Sequence, residues 1–374
     1  MITNPIGLYV HIPYCVRKCN YCDFCSLPSG DGTVPYGYID RLISEAHTYK
    51  GETKIPVNTL YFGGGTPSLM PPSMLDKLLS SFGDIFDFSL DLELTIEANP
   101  GTLTKEKLAG YKSLGVNRIS IGLQSIHENE LKSLGRIHSY SDFLESYNAA
   151  RRAGFDNLNV DLMYGIPHQS IDSFRSTLTA VANLSPEHIS AYGLIVEEGT
   201  PFFKQRAALP LPDEDCECEM YALACGILSE RGYGHYEISN YAKAGYESRH
   251  NLKYWRTEEY IGLGAAAHSY LGGTRYGNRG DVGEYISSLK TQYVGKELID
   301  SNTERYEYAM MRLRLSEGFS LDEYRERFGV HFLEGKEETV NSLLRAELIS
   351  INNGRISLSE RGFYLSNSIL VQIL

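Results

Sequence analysis

The sequence predicts an α/β fold: a partial (β/α)6 barrel of the TIM type, followed by a smaller, mainly helical C-terminal domain. First, six short apolar segments rich in β-formers alternate with amphipathic stretches over the first two-thirds of the chain. This alternation is typical of right-handed βαβ units around a parallel sheet. Second, polar or glycine-rich residues follow or end five of these segments, where the chemistry of parallel barrels gathers. We therefore expect one functional site at the top of an open barrel.

The barrel elements can be read from residue periodicity. The candidate strands are Gly7–Ile12, Thr59–Phe62, Leu92–Glu97, Arg118–Gly122, Leu158–Met163 and His188–Leu194. The candidate helices between them are Tyr36–Tyr49, Ser73–Phe82, Lys105–Ser113, Tyr140–Ala153 and Ile171–Asn183. In the first helix, Leu42, Ile43 and Ala46 have the spacing of a helix with one buried face.

The pattern changes after about residue 211. Asp213–Arg231 reads as a helix and Gly232–Asn240 as a short strand. We expect a barrel domain over residues 1–240 and an irregular, glycine- and aromatic-rich connection over residues 241–302. Residues 303–374 predict a helical or winged-helix domain with a hairpin near Asn353–Gly354. The sequence alone does not separate a stabilising appendage from a functional lid in this last domain.

Composition excludes several classes of protein. Lys plus Arg total 35 against 47 Asp plus Glu, so the net charge of -12 argues against a general binder of nucleic acid or anionic membranes. No run of about 18 apolar residues is present, so we expect no membrane span. Met1–Val10 lacks a cationic segment followed by a long apolar run, so we expect no signal peptide and a cytoplasmic location.

The cysteines are unevenly distributed. Four of the seven fall between Cys15 and Cys25, and Cys15, Cys19 and Cys22 have the spacing CxxxCxxC just after the first strand. A cubane iron–sulfur cluster normally takes four protein thiolates, one for each iron. Three thiolates leave one iron open for a small molecule. The spacing therefore favours a [4Fe–4S] cluster with a free coordination position.

Structural zinc is the alternative interpretation of this loop. Adding Cys25 gives four thiolates within eleven residues, and four-cysteine tetrahedral zinc sites are common. Such sites usually pair two CxxC units across a longer connection, whereas here all four cysteines lie on one loop. The remaining cysteines, Cys216, Cys218 and Cys225, lie on one predicted helix, and we interpret them as core thiols rather than a second metal site.

Several ordered motifs carry a resemblance to a known family. Tyr21 is the aromatic residue just before the third cysteine, and the surrounding segments read LYVHIPYC, YFGGGTPS, EANPGT, RISIGLQS and NVDLMYGIP. In this order they closely resemble the HemN/HemW branch of the radical S-adenosylmethionine (SAM) superfamily, over nearly the whole chain. The resemblance implies a [4Fe–4S] cluster, SAM on its open iron, and an electron donor to the cluster.

The resemblance also implies site residues. Tyr9, Gly64 and Glu97 match contacts to the cluster-bound SAM. Contacts to a second SAM molecule are matched by Tyr21, Gly65, Thr66, Gln124, Arg136 and Asp161. Taken alone, Glu97 has the alternative interpretation of a solvent-facing or salt-bridged acid at a strand end, and for Arg136 a surface ion pair is the favoured interpretation.

Three further features distinguish members of the branch. The coproporphyrinogen oxidases read CxxxCxxCxC, but here that last position is Phe24 and Cys25 lies one residue later. Those oxidases also carry a longer N-terminal arm, for which we expect no room before Cys15. His250–Trp255 reads HNLKYW and matches the HNxxYW motif of HemW-type proteins, which implies that the chain binds haem and passes it to acceptor haemoproteins.

His250 is the expected iron contact in that interpretation, since neutral imidazole is a good haem ligand. A packed aromatic corner with a hydrogen-bonded histidine is the alternative. His11 and His268 are further candidate haem contacts. Other functions stay open: coproporphyrinogen III oxidation, another radical SAM reaction on a tetrapyrrole, or a zinc-stabilised binding barrel. Whether the chain is an enzyme is therefore left undecided.

Overall fold

A computed structural model describes residues 4–288 and 290–374. Its centre is a run of parallel strands in chain order, here called the first to sixth barrel strands. They are Ile6–Ile12, Ile55–Gly64, Phe86–Ala98, Arg118–Gln124, Leu158–Tyr164 and His188–Gly193. Each predicted strand is present, and most are longer than predicted. The α/β barrel predicted from the sequence is confirmed.

The barrel helices begin and end close to their predicted bounds. Through the sixth strand they are Tyr36–Ala46, Pro72–Phe82, Lys105–Ser113, Glu128–Ser133, Tyr140–Arg152 and Ile171–Leu184, with short 3-10 turns at His47–Tyr49 and Pro67–Leu69. Ser139 and Ser170 begin two of them with reciprocal capping boxes, which satisfy backbone N–H groups at each helix start. Glu128–Ser133 was not predicted, since six residues carry too little periodicity.

The core lies between the sheet and these helices. Leu8, Val10, Phe62, Ile96 and Ile121 are fully buried on successive barrel strands. Strands covered on both faces read as continuous apolar runs, which is why the barrel strands were visible in the sequence. The helix Glu214–Glu230 packs against the sixth helix of the barrel, after a short helix at Pro201–Gln205 and a 3-10 turn at Arg206–Ala208.

The prediction that residues 241–302 are irregular is wrong. Tyr260–Leu263 pairs in parallel with the first barrel strand, on the side opposite the second strand. The sheet then continues through antiparallel strands His268–Leu271, Thr274–Asn278 and Tyr293–Leu298. Helices Arg249–Trp255 and Val282–Ser287 complete the segment. Strands of four to six residues show too few alternations to be distinguished from loops by periodicity.

The opposite edge of the sheet is also antiparallel, with strands Asn240–Ala242 and Gly234–Glu237 following the sixth barrel strand. In the C-terminal part, the helices are Ser301–Arg312, Leu321–Phe328, Glu337–Arg345, Glu360–Tyr364 and Ser366–Ile373. A three-stranded sheet of Phe319–Ser320, Ile349–Asn352 and Arg355–Leu358 accompanies them.

The predicted C-terminal hairpin is present. Asn353 and Gly354 both have positive φ, 51° and 74°, as a two-residue turn between twisted strands requires. This part contacts the barrel through a bridge between Glu237 and Leu315 and a hydrogen bond from the Ser316 N–H to the Tyr236 carbonyl. The exact domain boundaries stay a prediction.

Candidate functional site

A cavity of about 390 Å³ opens at the carboxyl ends of the barrel strands. Cys15, Cys19 and Cys22 all line it, on the loop that follows the first strand. Residues from the ends of the other barrel strands complete the wall, including Tyr21, Gly64, Gly65, Glu97, Gln124, Arg136 and Asp161. The structure therefore brings together ten of the thirteen predicted site residues around one cavity.

A chain of hydrogen bonds joins two of the three cysteines. The Thr66 hydroxyl donates to the Cys15 Sγ at 3.4 Å, and the Asn99 side-chain amide donates to the same hydroxyl at 2.8 Å. On the other side, Arg136 donates to the Asn99 Oδ1 at 2.6 Å and to the Cys19 Sγ at 3.5 Å. Both sulfurs thus accept a hydrogen bond, and the partly buried guanidinium places a positive charge beside them, which favours their thiolate form.

Cys25 points away from the three other cysteines of the loop. Its Sγ donates to the Gly280 carbonyl at 3.0 Å, and it lines a separate cavity. Within residues 4–288 and 290–374, no three His, Cys, Asp or Glu side chains converge closely enough to hold a single metal ion. In a cubane each thiolate binds a different iron, so its ligands stand further apart than those of one zinc ion. The arrangement of Cys15, Cys19 and Cys22 therefore fits a cluster better than a four-cysteine zinc site.

The glycine segment after the second strand is shaped by close contacts. Gly64 has φ of 111°, a conformation that other residues rarely adopt, and a Cβ there would lie 2.5 Å from the His11 ring. A Cβ on Gly65 would lie 2.7 Å from the Tyr14 carbonyl. Side chains are excluded at both positions, so this backbone stays accessible from the cavity.

Two partly buried carboxyl groups line the cavity. Glu97 accepts from the Tyr61 hydroxyl at 2.7 Å and from the Gly64 N–H at 3.0 Å. Burial raises the pKa of Glu97 to about 7, despite these donors. Asp161 accepts from Ser120 at 3.0 Å and from Asn159 at 2.7 Å, and burial raises its pKa too. Two desolvated acids beside one cavity suit a ligand that carries positive charge.

Several buried polar atoms at the cavity also indicate a ligand. Among the described residues, Gln124 Oε1, Arg136 Nε and Arg118 Nε have no hydrogen-bond partner. A buried polar group without a partner costs about 1–3 kcal/mol, so such groups cluster where a ligand completes them. Gln124 also adopts a left-handed backbone, with φ of 68°. The donor set and these groups together fit a [4Fe–4S] cluster with SAM.

Sequence reasoning missed part of this site. Tyr61, Asn99 and Arg118 were not predicted, although each falls within a motif quoted above. Asn99 lies two residues after Glu97 in EANPGT, and that proximity to a predicted contact was the available signal. Arg118 begins the fourth strand and is buried. Its sequence position indicated only the start of a strand and gave no sign that it lines the cavity.

Three predicted residues do not line the cavity. Thr66 lies behind Cys15, as its hydrogen bond shows. Tyr9 faces a second cavity and donates its hydroxyl hydrogen to the His11 Nδ1 at 2.9 Å. His250 is 1% exposed.

The contact between His250 and a haem iron stays a prediction, and in this structure both ring nitrogens of His250 already have hydrogen-bond partners. Its Nδ1 is bonded to the Thr59 hydroxyl and its Nε2 to the Tyr254 hydroxyl, both at 2.8 Å. Its ring stacks on Tyr61 with a centroid separation of 5.1 Å. Burial lowers its pKa to about 3, so the ring is neutral. With both nitrogens occupied, His250 is part of a packed aromatic corner.

The three cysteines of the helix Glu214–Glu230 differ in burial. Cys225 is buried and contacts the Tyr241 hydroxyl at 3.3 Å, whereas Cys216 is half-buried and Cys218 is exposed. The prediction of core thiols is confirmed for Cys225, and Cys216 packs partly buried against the same core, but the prediction is wrong for Cys218. Among the described helices, none is both long enough and apolar enough to cross a bilayer.

Comparisons with known proteins place this geometry in a family. Residues 9–181 match the Radical SAM superfamily, and residues 299–365 match the HemN C-terminal domain. "Heme chaperone HemW" of Lactococcus lactis is 34% identical over 100% of this chain and 98% of its own length. The Bacillus subtilis protein of the same name is 36% identical over 96% of this chain and 97% of its own.

A solved structure gives the same fold. Coproporphyrinogen III oxidase (HemN) from Escherichia coli superposes with a TM-score of 0.85, covering 99% of this chain and 90% of that chain at 22% identity. At this identity the likeness shows the fold alone. The sequence relatives, which align from end to end, are more specific. The chain belongs to the HemW family of the radical SAM superfamily.

Proposed function

We propose that the protein is a haem chaperone, which binds haem and delivers it to acceptor haemoproteins. The observation that carries this proposal is the near full-length identity of 34% and 36% to two relatives that are both named heme chaperones. Phe24, in place of the oxidases' additional cysteine, supports it. Membership of the superfamily implies that the chain also holds a [4Fe–4S] cluster and SAM.

Cys15, Cys19 and Cys22 are the proposed cluster ligands. Such a cluster with one open iron supplies reductive cleavage of SAM in this superfamily. The chain itself would position the cluster and stabilise the thiolates that bind it. Thr66 and Arg136 donate to two of the sulfurs, and the Arg136 charge favours thiolates. An external electron donor to the cluster is part of the same proposal.

The SAM contacts follow from the cavity wall. Glu97 and the exposed backbone of Gly64 would receive the cationic end of a SAM molecule bound to the cluster. Gln124 and Arg136, each with a buried polar atom left free among the described residues, would bind a second SAM. Titration calorimetry of the cluster-loaded protein tests this: two SAM molecules per chain are expected, and one would remove the second site.

Coproporphyrinogen oxidation is the alternative function, since the fold is that of HemN. Anaerobic incubation of cluster-loaded protein with coproporphyrinogen III, SAM and a reductant separates the two. The chaperone proposal predicts no product at useful rates, together with saturable haem binding and haem transfer to an apo-haemoprotein. Rapid product formation without haem transfer would overturn it. An absorption spectrum and metal analysis of anaerobically purified protein exclude or establish zinc in the loop.

A further inference from the structure

A second cavity lies on the opposite side of the cysteine loop from the cluster site. Its volume is about 300 Å³, at the lower end of the range for ligand pockets. Phe24 lines both cavities, while Cys22 faces only the first and Cys25 only the second. One short loop thus separates the two spaces. The far wall comes from the sheet extension, including Tyr260 and His268.

The walls of this cavity are mainly apolar. Tyr254, Tyr260, Ala266 and Ala267 form one side, and Phe24 stands at the rim with 57% of its surface exposed. A large exposed aromatic side chain beside an apolar hollow is a feature of surfaces that cover a ligand. Flat aromatic walls suit a flat, largely apolar ring system.

Three histidines lie at or beside this cavity, and they differ in the hydrogen bonds of their ring nitrogens. His11 donates from Nε2 to the Cys25 carbonyl at 2.7 Å and accepts from Tyr9 at Nδ1. His250, behind Tyr254, has both nitrogens bonded. His268 is exposed, and in the part of the chain that the structure describes its ring has no hydrogen-bond partner. Of these three imidazoles, as far as the described residues show, only that of His268 has a nitrogen lone pair free to bind a metal.

The position of His268 is set by its hairpin. It begins the strand His268–Leu271, and its backbone pairs with Gly277 on the neighbouring strand. A Cβ on Gly277 would lie within 2.8 Å of the His268 ring, so the ring lies across this glycine. The Lys18 ammonium, which lines the first cavity and not this one, donates to the Phe24 carbonyl at 2.9 Å.

We propose that this cavity binds an iron porphyrin, with His268 as an axial ligand of the iron. The inference rests on the proposed haem-chaperone function and names the site where haem sits. The aromatic and alanine side chains cover one part of the macrocycle. A cavity of this size leaves much of the ring uncovered, which leaves haem accessible to an acceptor protein.

The test is anaerobic haem titration of the full, cluster-reconstituted chain, followed by absorption spectroscopy in the Soret region. His268→Ala is compared with wild type and with His47→Ala, an exposed histidine that lines none of the cavities described. We expect His268→Ala to bind haem at least about tenfold more weakly and with a shifted Soret band. Added imidazole should restore the wild-type spectrum, which a merely structural effect would not allow.

The outcomes separate the two proposals. If His47→Ala behaves as wild type while His268→Ala loses affinity and is rescued by imidazole, the site is supported. Wild-type affinity and an unchanged spectrum in His268→Ala would remove the site but leave the chaperone function intact. If wild type itself fails to bind haem at micromolar concentrations, the chaperone function is refuted and the site falls with it.

Discussion

Replacing Glu97 by glutamine tests how the cavity receives a positive charge. Glu97 is partly buried, and its pKa of about 7 stands well above the ordinary 4.5 because desolvation disfavours the charged carboxylate. At about 1.4 kcal/mol per pKa unit, ionising it inside the barrel costs about 3 kcal/mol more than in water. A cationic SAM molecule offsets that cost, so binding favours the carboxylate and releases its proton.

The sign of the pH dependence follows from this linkage. Above pH 7 Glu97 is already ionised, whereas below pH 7 binding must first remove a proton. SAM affinity of the wild-type, cluster-loaded protein should therefore fall about tenfold from pH 8 to pH 6 through Glu97 alone. Glu97→Gln should bind SAM more weakly at pH 8 and should lack this part of the decline.

Anaerobic titration calorimetry from pH 6 to pH 8 measures both profiles. The amino group of SAM also titrates, at a pKa near that of a free α-amino group (roughly 8), so the diagnostic quantity is the difference between the two proteins. Parallel profiles in wild type and Glu97→Gln would show that Glu97 does not face the bound cation. Iron content is measured in each preparation, so that a lost cluster is not mistaken for a lost contact.

The remaining predictions concern the cluster loop, the glycine segment and the core. Cys22→Ser should lose cluster iron while Cys25→Ser retains it, by iron and sulfide analysis; equal loss in both would put Cys25 among the ligands. Gly64→Ala should lower the free energy of unfolding by roughly 1–3 kcal/mol and weaken SAM binding, because its Cβ meets the His11 ring; a fully stable variant with normal SAM affinity argues against that contact. Phe62→Ala should cost about 3–5 kcal/mol in urea denaturation, and a loss below 1 kcal/mol would contradict its burial.

Much of the barrel could be predicted from residue patterns. The helix Lys105–Ser113 was predicted with its observed bounds, and the fourth and fifth strands to within two residues. These elements could be predicted because both faces of a barrel strand are buried and each helix has one buried face. Their apolar residues therefore form patterns that are visible in the sequence. The sheet extension failed because each of its strands is short and partly exposed, which leaves little hydrophobic pattern to detect.

The candidate site was also only partly predictable from the sequence. Cys15, Cys19 and Cys22 could be predicted because their spacing along the chain is itself the chemical signal. Glu97 and Asp161 could be predicted because they end or lie late in barrel strands, and all five line one cavity. Asn99 was missed because its role depends on Thr66 and Arg136, which are 33 and 37 residues away. For His250 the motif named the residue but did not show that its ring nitrogens are hydrogen-bonded to Thr59 and Tyr254.

The barrel class, the family and the candidate cluster loop follow from residue patterns alone, since these are recorded in local spacing and in the order of motifs. The hydrogen bonding and exposure of the histidine rings follow only from the folded chain. His250 and His268 are 18 residues apart and chemically identical, yet one ring is sealed between Thr59 and Tyr254 while the other is open beside an apolar cavity. Hydrogen-bond occupancy and exposure arise from chain segments that meet only on folding, so spacing along the chain does not encode them.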